Sequence, residues 1–378
     1  MEINGDSVRV ARVFRGLTQR ELAEQVATSE ATVWQVERGR TPKDSLLAAL
    51  SLVLGFDREF FFQKLEDEFT EADCNFRRST AAERLRKRVL AHGTLFGIVV
   101  RHLQGMLSLP KYKVPEFQVV TPADIEVAAE KCRVELGLGE RTPILHMGRV
   151  LEHSGVMLTC LDQGSERLDA FSRLGRGTGV SVVVLNSAKG SSSRTRYDMA
   201  HELGHLVMHG RTRASYADRE KQADRFASAF LLPRHGFARE FWSGGKINWS
   251  NMFALKSRWK VSIQAMIYRA YDLDLIDAVE FRKAYKAISA RGWRKGEPHE
   301  PEQERPELFN KAMSTLWERR KIGASEVAAQ LHWSADTFSD VTGLRDEGGS
   351  QPVDGVLSIL AMREKKRSRS GTAVGSAG

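Results

Sequence analysis

The sequence predicts a mainly α-helical protein with one small β-sheet, an α+β arrangement. Along most of the chain, apolar residues recur at helical spacing between residues that cap helices. Short apolar runs bounded by glycine occur in the middle of the chain, which predicts a few strands there. At 378 residues the chain exceeds what one hydrophobic core usually serves, so two or three domains are expected.

Changes in composition divide the chain further. Residues 66–81 turn acidic and then polar, and residues 292–306 are rich in charge and proline, so both stretches predict boundaries. The predicted order is an all-α head (residues 1–65), a linker and helical connector (66–122), an α+β domain (123–298), a helical module (299–362) and a disordered basic tail (363–378).

Composition narrows the functional classes. The net charge of +9 is compatible with a part that binds nucleic acid, but it is weak support by itself. Cys74, Cys132 and Cys160 are far apart and odd in number, which argues for a reducing compartment and against a disulfide framework. No apolar run approaches the roughly 20 residues that span a bilayer, so we expect a cytoplasmic protein without membrane contact.

The head is predicted to be a bundle of short helices. Gly16 ends the first helix, and Thr18 caps the second. Ser29 caps a third helix that Gly39 closes, and an apolar helix then runs to Gly55.

Two stretches of the head, LTQRELA at 17–23 and VWQVERG at 33–39, resemble the Cro/cI (XRE) helix-turn-helix family. The resemblance implies that residues 30–35 enter the major groove of a DNA operator, and that a homodimer reads two half-sites. A helical bundle used only for protein contact is the alternative. The implied DNA-binding residues are Gln19, Glu30, Thr32, Gln35, Arg38, Arg40 and Lys43.

The α+β domain mixes helical and strand patterns. One edge of its sheet is a candidate site for an extended substrate that adds a strand. The polar residues 189–196 are predicted to form a loop that enters the following helix. The preceding helices are predicted at residues 123–136 and 144–153, and the strands at 156–160, 169–172 and 180–186.

The following helix carries RYDMAHELGHLVMH at residues 196–209, which contains the motif His-Glu-x-x-His. Side chains four apart lie on one face of a helix, so His201 and His205 can both bind one tetrahedral metal ion. Glu202 lies at the flank of that face. From there its carboxylate can reach a water molecule at the metal, which is the position of a general base for hydrolysis.

A third ligand is expected from the next helical stretch, residues 218–233, where Glu220 and Asp224 share a face. We expect Glu220 to be the ligand and Asp224 to be its neighbour or the partner of a ligand histidine, since outer carboxylates fix imidazole tautomers. A solvated helix charge is the alternative for Glu220. His209 lies one turn beyond His205, too far along the axis to share the ion comfortably, so we expect a structural role beside the site or a substrate-facing one.

The order and spacing of VVVLN (182–186), the motif helix and EKQADRFASAFLLP (220–233) resemble the ImmA/IrrE family of zinc metallopeptidases. The resemblance covers about residues 143–294. It implies a narrow-specificity protease that cleaves a repressor and thereby switches on genes of a mobile element or a damage response. It also implies Zn²⁺ ligands His201, His205 and Glu220, with Glu202 as the catalytic carboxylate.

The whole sequence therefore predicts a DNA-binding zinc metalloendopeptidase that cleaves a transcriptional repressor, or itself. Tyr268 or Arg269 is a candidate to steady the oxyanion, with a packing role as the alternative for Tyr268. The competing prediction is a regulator whose peptidase-like domain senses a signal or binds a partner without proteolysis. Residues 326–338 of the helical module faintly repeat the helix-turn-helix pattern.

Overall fold

Helices surround a small sheet in the computed structural model, as the sequence predicts. The predicted tail and Cys74 lie outside the described residues, and so does most of the predicted linker before residue 83. Residues 1–344 belong to one compact unit. The structure describes residues 2–66, 68–70, 83–161, 171–173, 180–186, 190–210, 215–241, 246–294 and 296–344.

The head contains the predicted helices. Thr18 and Glu21 form a reciprocal capping box at the start of its second helix, and Ser29 caps the third. Gly55 ends the fourth helix with a left-handed φ of 77°, a conformation that favours glycine. The helices are α1 (Gly5–Phe14), α2 (Gln19–Gln25), α3 (Glu30–Val36) and α4 (Asp44–Leu54), followed by a 3-10 helix (Arg58–Phe62).

The rest of the described chain alternates helices with three short strands. A 24-residue helix, α5 (Glu83–Met106), leads from the head to the sheet. Next come α6 (Pro122–Glu135), α7 (Met147–His153), β1 (Val156–Leu161), β2 (Phe171–Arg173), β3 (Ser181–Asn186), α8 (Ser192–Met208) and α9 (Tyr216–Leu231). The last helices are α10 (Arg234–Phe241), α11 (Trp249–Trp259), α12 (Ile263–Asp272), α13 (Ala278–Ala290), α14 (Leu308–Arg320), α15 (Ala324–Gln330) and α16 (Ala335–Thr342). No helix of the described ranges is long and apolar enough to cross a membrane.

The sheet has the strand order β1-β3-β2. β3 pairs with β1 in parallel and with β2 in antiparallel orientation, so β1 and β2 are the edge strands of the sheet that the described residues form. Residues 169 and 170, which the sequence assigns to β2, lie outside the described residues.

The sheet separates two hydrophobic cores because successive side chains of a strand point to opposite faces. Val182 and Val184 of β3 face a core that also contains α1 to α5 and α14 to α16. Val183 and Leu185 face the second core, which α6 to α13 complete. The head and one face of the sheet therefore share a core.

The segment between α13 and α14 is anchored by its acidic side chains. Glu300 accepts hydrogen bonds from the backbone N–H of Ser193 (2.8 Å) and from the Lys256 ammonium (2.7 Å). Ser191 and Glu300 thus hold the start of α8. The loop predicted for residues 189–196 is therefore wrong from Ser192 onward, where α8 begins with Ser191 as its cap.

The faint repeat in the helical module is visible in the fold. Ser29 and Ser334 cap α3 and α16, and the residues two positions earlier, Ala27 and His332, both have a left-handed φ (51° and 61°). Within the repeat in the helical module, Ser334 donates its N–H to the carbonyl of Gly55 of the head (3.0 Å). The module thus packs against the head.

Candidate metal centre and DNA-binding head

The metal-motif helix α8 packs closely against α9. A Cβ atom at Gly204 would lie 3.0 Å from Phe226 and 3.3 Å from the Cα of Ala223, so the glycine within the motif permits the close approach of the two helices. This packing brings Glu220 of α9 to the two histidines of α8.

His201, His205 and Glu220 form a compact donor set of two nitrogens and a carboxylate. The two Nε2 atoms are 3.1 Å apart, and Glu220 oxygens lie 3.2 Å from Nε2 of His205 and 3.6 Å from Nε2 of His201. Ligands about 2.0–2.1 Å from a tetrahedral zinc ion are about 3.3 Å from each other. Among the described residues, these three form the group that could hold a metal ion.

Other contacts orient the two imidazoles. Nδ1 of His201 lies 2.9 Å from Oδ1 of Asp224, and Nδ1 of His205 lies 2.8 Å from Nδ1 of His209. His209 in turn has its Nε2 2.9 Å from Oε1 of Gln222. The structure therefore places Asp224 and His209 behind the donor set. Gln222 was not among the residues predicted from the sequence, because its contact with His209 forms only when α8 and α9 pack.

The ionisation of His205 and Glu220 suits metal binding, whereas at His201 the effect of burial is outweighed by contacts with Asp224 and Glu220, which raise its pKa to about 10. Burial lowers the pKa of His205 to about 4, so its ring is neutral near pH 7. Burial alone would raise the pKa of Glu220, but its contacts with His201 and His205 lower it to about 2. Metals bind neutral imidazole and ionised carboxylate. Both Glu220 oxygens are buried without a hydrogen-bond partner. A metal ion bound at this site would coordinate them instead.

Glu202 lies beside this set with its carboxylate buried. Burial raises the pKa of Glu202 to about 8, while a hydrogen bond with Ser172 opposes the rise. Its Oε2 is buried without a hydrogen-bond partner. Ser172 belongs to the edge strand β2, and no local pattern in the sequence pointed to it.

The two oxyanion candidates differ in environment. Arg269 is buried and its guanidinium donates to both oxygens of Glu126 (2.7 and 2.8 Å) and to the carbonyl of Leu232. Arg269 therefore joins α12 to α6, and these contacts occupy the guanidinium that the sequence offered as one of two oxyanion candidates. Tyr268 is 56% exposed and contacts the rings of Phe281 and Tyr285.

The predicted DNA-binding residues occupy one region around α2 and α3. Gln19 is half-buried and donates to Glu37 (2.6 Å), and the hydroxyl of Thr32 lies 2.8 Å from that of Ser29. Gln35 accepts a hydrogen bond from Arg40. The remaining predicted residues, Glu30, Arg38, Arg40 and Lys43, are exposed.

One exposed residue of α3 was missing from the predicted contacts. Trp34 is 47% exposed, and the guanidinium of Arg38 lies 4.5 Å from its ring centre. Such a contact orients the arginine. Helical spacing offered a signal for Trp34, because the pattern that buries two valines of α3 leaves the tryptophan between them exposed.

Two families of known proteins match the head and the domain that carries the metal motif. Residues 5–59 match the family described as helix-turn-helix domain, and residues 151–271 match the IrrE N-terminal-like domain, a peptidase family. A solved structure, a Mycobacterium tuberculosis transcriptional regulator, is 17% identical with a TM-score of 0.28; the match covers 46% of this chain and 50% of that one. No curated protein matches the chain. The chain thus contains a helix-turn-helix domain at its amino terminus and an IrrE-like domain at residues 151–271.

Proposed function

We propose that the protein is a DNA-binding zinc metalloendopeptidase that cleaves a transcriptional repressor, or itself, and so switches gene expression in a stress or mobile-element response. The observation that carries the proposal is the buried donor set of His201, His205 and Glu220, with Glu202 beside it. Two imidazoles and one carboxylate are a ligand set of catalytic zinc, which leaves a position for water or substrate.

His201, His205 and Glu220 would hold the zinc ion, which when bound would act as a Lewis acid towards water and a peptide carbonyl. Glu202 would take the proton of the attacking water at its carboxylate and return it to the leaving amine. Asp224 keeps His201 oriented by accepting a hydrogen bond from its Nδ1–H, so that Nε2 stays directed to the site.

The edge strand β2 supports an extended peptide as the substrate. Ser172 of β2 contacts Glu202, so this strand lies beside the proposed base. A peptide that pairs with the outer side of an edge strand gains backbone hydrogen bonds while its scissile bond remains near the strand. The sequence did not say which edge of the sheet binds the substrate. We propose the edge formed by β2.

The helix-turn-helix head would bring this activity to a DNA operator. We propose that α3 enters the major groove, with Arg38, Arg40 and Lys43 near phosphates, and that two copies of the chain read two half-sites. Cleavage would then act on a repressor bound at the same operator or on the protein itself.

The first test is Glu202→Gln, which preserves size and removes the base. We expect the variant to keep the zinc stoichiometry of the parent while cleavage falls by about 10²–10⁴-fold, the usual contribution of a general base. New protein amino termini would be compared by mass spectrometry in cells that express the parent or the variant. If both produce the same new termini, Glu202 is not the base and this proposal is wrong.

A second candidate function is regulation without proteolysis. It is favoured by the core that the head shares with the sheet. Because Ser172 of the sheet contacts Glu202, binding of a metal or partner at the site can change the packing of the head through this core. In that case the Glu202→Gln variant would keep the transcriptional output as well as zinc. Loss of the output in this variant would leave hydrolysis as the function.

A further inference from the structure

We propose that Gln222 is a positioning residue of the metal centre. Acting through His209, it fixes the tautomer in which His205 offers Nε2 to the metal. The inference rests on the proposed zinc site and adds a chain of two hydrogen bonds, His205 to His209 to Gln222, that we call the imidazole relay.

The first step of the relay follows from the position of His205. Its Nε2 faces His201 and Glu220, so a metal ligand role needs the lone pair on that atom. The proton of the neutral ring must then be on Nδ1. Nδ1 lies 2.8 Å from Nδ1 of His209, so His205 donates and His209 accepts.

The second step follows from the first. Because Nδ1 of His209 accepts, its own proton is on Nε2, which lies 2.9 Å from Oε1 of Gln222. The amide oxygen accepts this N–H. The reverse orientation of the amide would set two donors against each other, so the relay has one direction.

Because the relay is buried, the loss of one of its hydrogen bonds is not compensated by water. His205 and His209 are both buried, so bulk water does not replace a missing partner. α9 also supplies Glu220 and Asp224, so one helix provides a ligand and the acceptors that orient both histidines. Gln222 completes for His205 what Asp224 does for His201.

The affinity test measures zinc binding to the full-length protein by competition with a chromogenic chelator at fixed pH. We expect Gln222→Leu to weaken zinc binding about 10-fold, since outer partners of ligand histidines contribute about 10–100-fold. Gln222→Glu keeps an acceptor oxygen and should bind at least as tightly as the parent. Gln104→Leu makes the same change at an exposed position of α5 and should leave the affinity unchanged.

A spectroscopic test reads the relay directly. In the zinc-loaded parent, long-range proton–nitrogen NMR correlations of ¹⁵N-labelled histidines should show His205 protonated at Nδ1 and His209 protonated at Nε2. Gln222→Leu should reduce the preference of His209 for its Nε2–H form. A merely structural role of Gln222 would leave both tautomers as in the parent.

The two proposals fail in different ways. A parent protein that binds no zinc under zinc-replete conditions would overturn the metal centre and the relay with it. A parent that binds zinc, with Gln222→Leu equal to Gln104→Leu or with His209 protonated at Nδ1, would overturn the relay alone.

Discussion

At the scale of single residues, the donor set depends on one carboxylate from a second helix. His201 and His205 lie one turn apart on α8, but their third partner lies on α9 and reaches them only because Gly204 allows the helices to touch. Asp224, on the same face of α9, contacts the outer nitrogen of His201 instead. Glu220 and Asp224 thus take different positions at the site.

This division of roles predicts the effect of Glu220→Ala. Removing the only carboxylate of the three-membered donor set should abolish near-stoichiometric zinc binding, because two imidazoles hold the ion weakly. Metal content after dialysis, measured by atomic emission, checks this. Glu135→Ala, which removes an exposed carboxylate of α6, is the control. Full zinc in Glu220→Ala would point to a different third ligand.

Single residues of the head should act on DNA through charge. Lys43 is exposed at the start of α4, and its side chain makes no cap hydrogen bond there. If Lys43 contacts a phosphate, Lys43→Ala should reduce the slope of log affinity against log salt by about 0.9. Binding of a fixed DNA duplex across a salt series checks this value.

The matched control is Lys283→Ala in α13, whose side chain is 71% exposed. It removes the same charge far along the chain from the head. A slope that changes equally in both variants would show a general effect of net charge and would remove Lys43 from the DNA interface.

At the scale of elements, the acidic segment before α14 ties helices together. Glu307 contacts Arg149 of α7 (2.9 Å) and Lys311 of α14 (2.6 Å), with His146 3.5 Å away. Glu152 accepts the first N–H groups of α14 from the other side. Charged contacts with α7 and α14 therefore hold Glu307, the residue that directly follows the segment 292–306 that composition marked as a boundary.

These contacts predict a pH dependence of stability. Burial alone would raise the pKa of Glu307, but hydrogen bonds with Arg149 and Lys311 lower it from 4.5 to about 2. A lowered carboxyl pKa stabilises the fold above the unfolded pKa, and this contribution is lost as the pH falls from about 4.5 towards 2. The Glu307 side chain keeps 24% of its surface exposed and its partner Arg149 keeps 47%, so solvent screens the pair and we expect about 1 kcal/mol at neutral pH.

Urea unfolding of Glu307→Gln should therefore show a free energy of unfolding about 1 kcal/mol below the parent at pH 7, with the gap narrowing below pH 4.5. Glu318→Gln, at an exposed position of α14, should match the parent at every pH. A gap that stays constant to low pH would mean that the Glu307 carboxylate does not stabilise the fold by its charge.

At the scale of the whole molecule, the head, the sheet and the helical module share one core. Trp333 is buried between the head and the module, with its ring 5.6 Å from Phe56 and 6.3 Å from Phe60. An antiparallel bridge joins Phe56 to Trp333. We therefore expect the three parts to unfold together, even though their sequences suggest separate segments.

Trp333→Ala should lower the free energy of unfolding by about 3–5 kcal/mol, as for other buried aromatic truncations. Trp317→Ala, at a ring that is 54% exposed, should cost less than about 1 kcal/mol. Chemical unfolding followed by circular dichroism and by tryptophan fluorescence checks both values. Two separate transitions, with only one shifted by Trp333→Ala, would show that the parts are independent domains.

The sequence by itself determined the local features of this protein. The helices of the head follow from caps such as Thr18 and Ser29 and from apolar spacing, which act over a few residues. His201 and His205 share a face for the same reason, since a spacing of four residues is a property of one helix. The domain boundaries and the roles of the site residues remain predictions.

Only the tertiary structure decided which distant groups meet. The contacts of Gln222 with His209 and of Ser172 with Glu202 join different elements, and no periodicity of one segment encodes them. The shared core of head and sheet and the contact of Glu300 with the start of α8 are of the same kind. Such contacts arise from the packing of helices and strands that are far apart in the chain, where hydrophobic burial selects the arrangement.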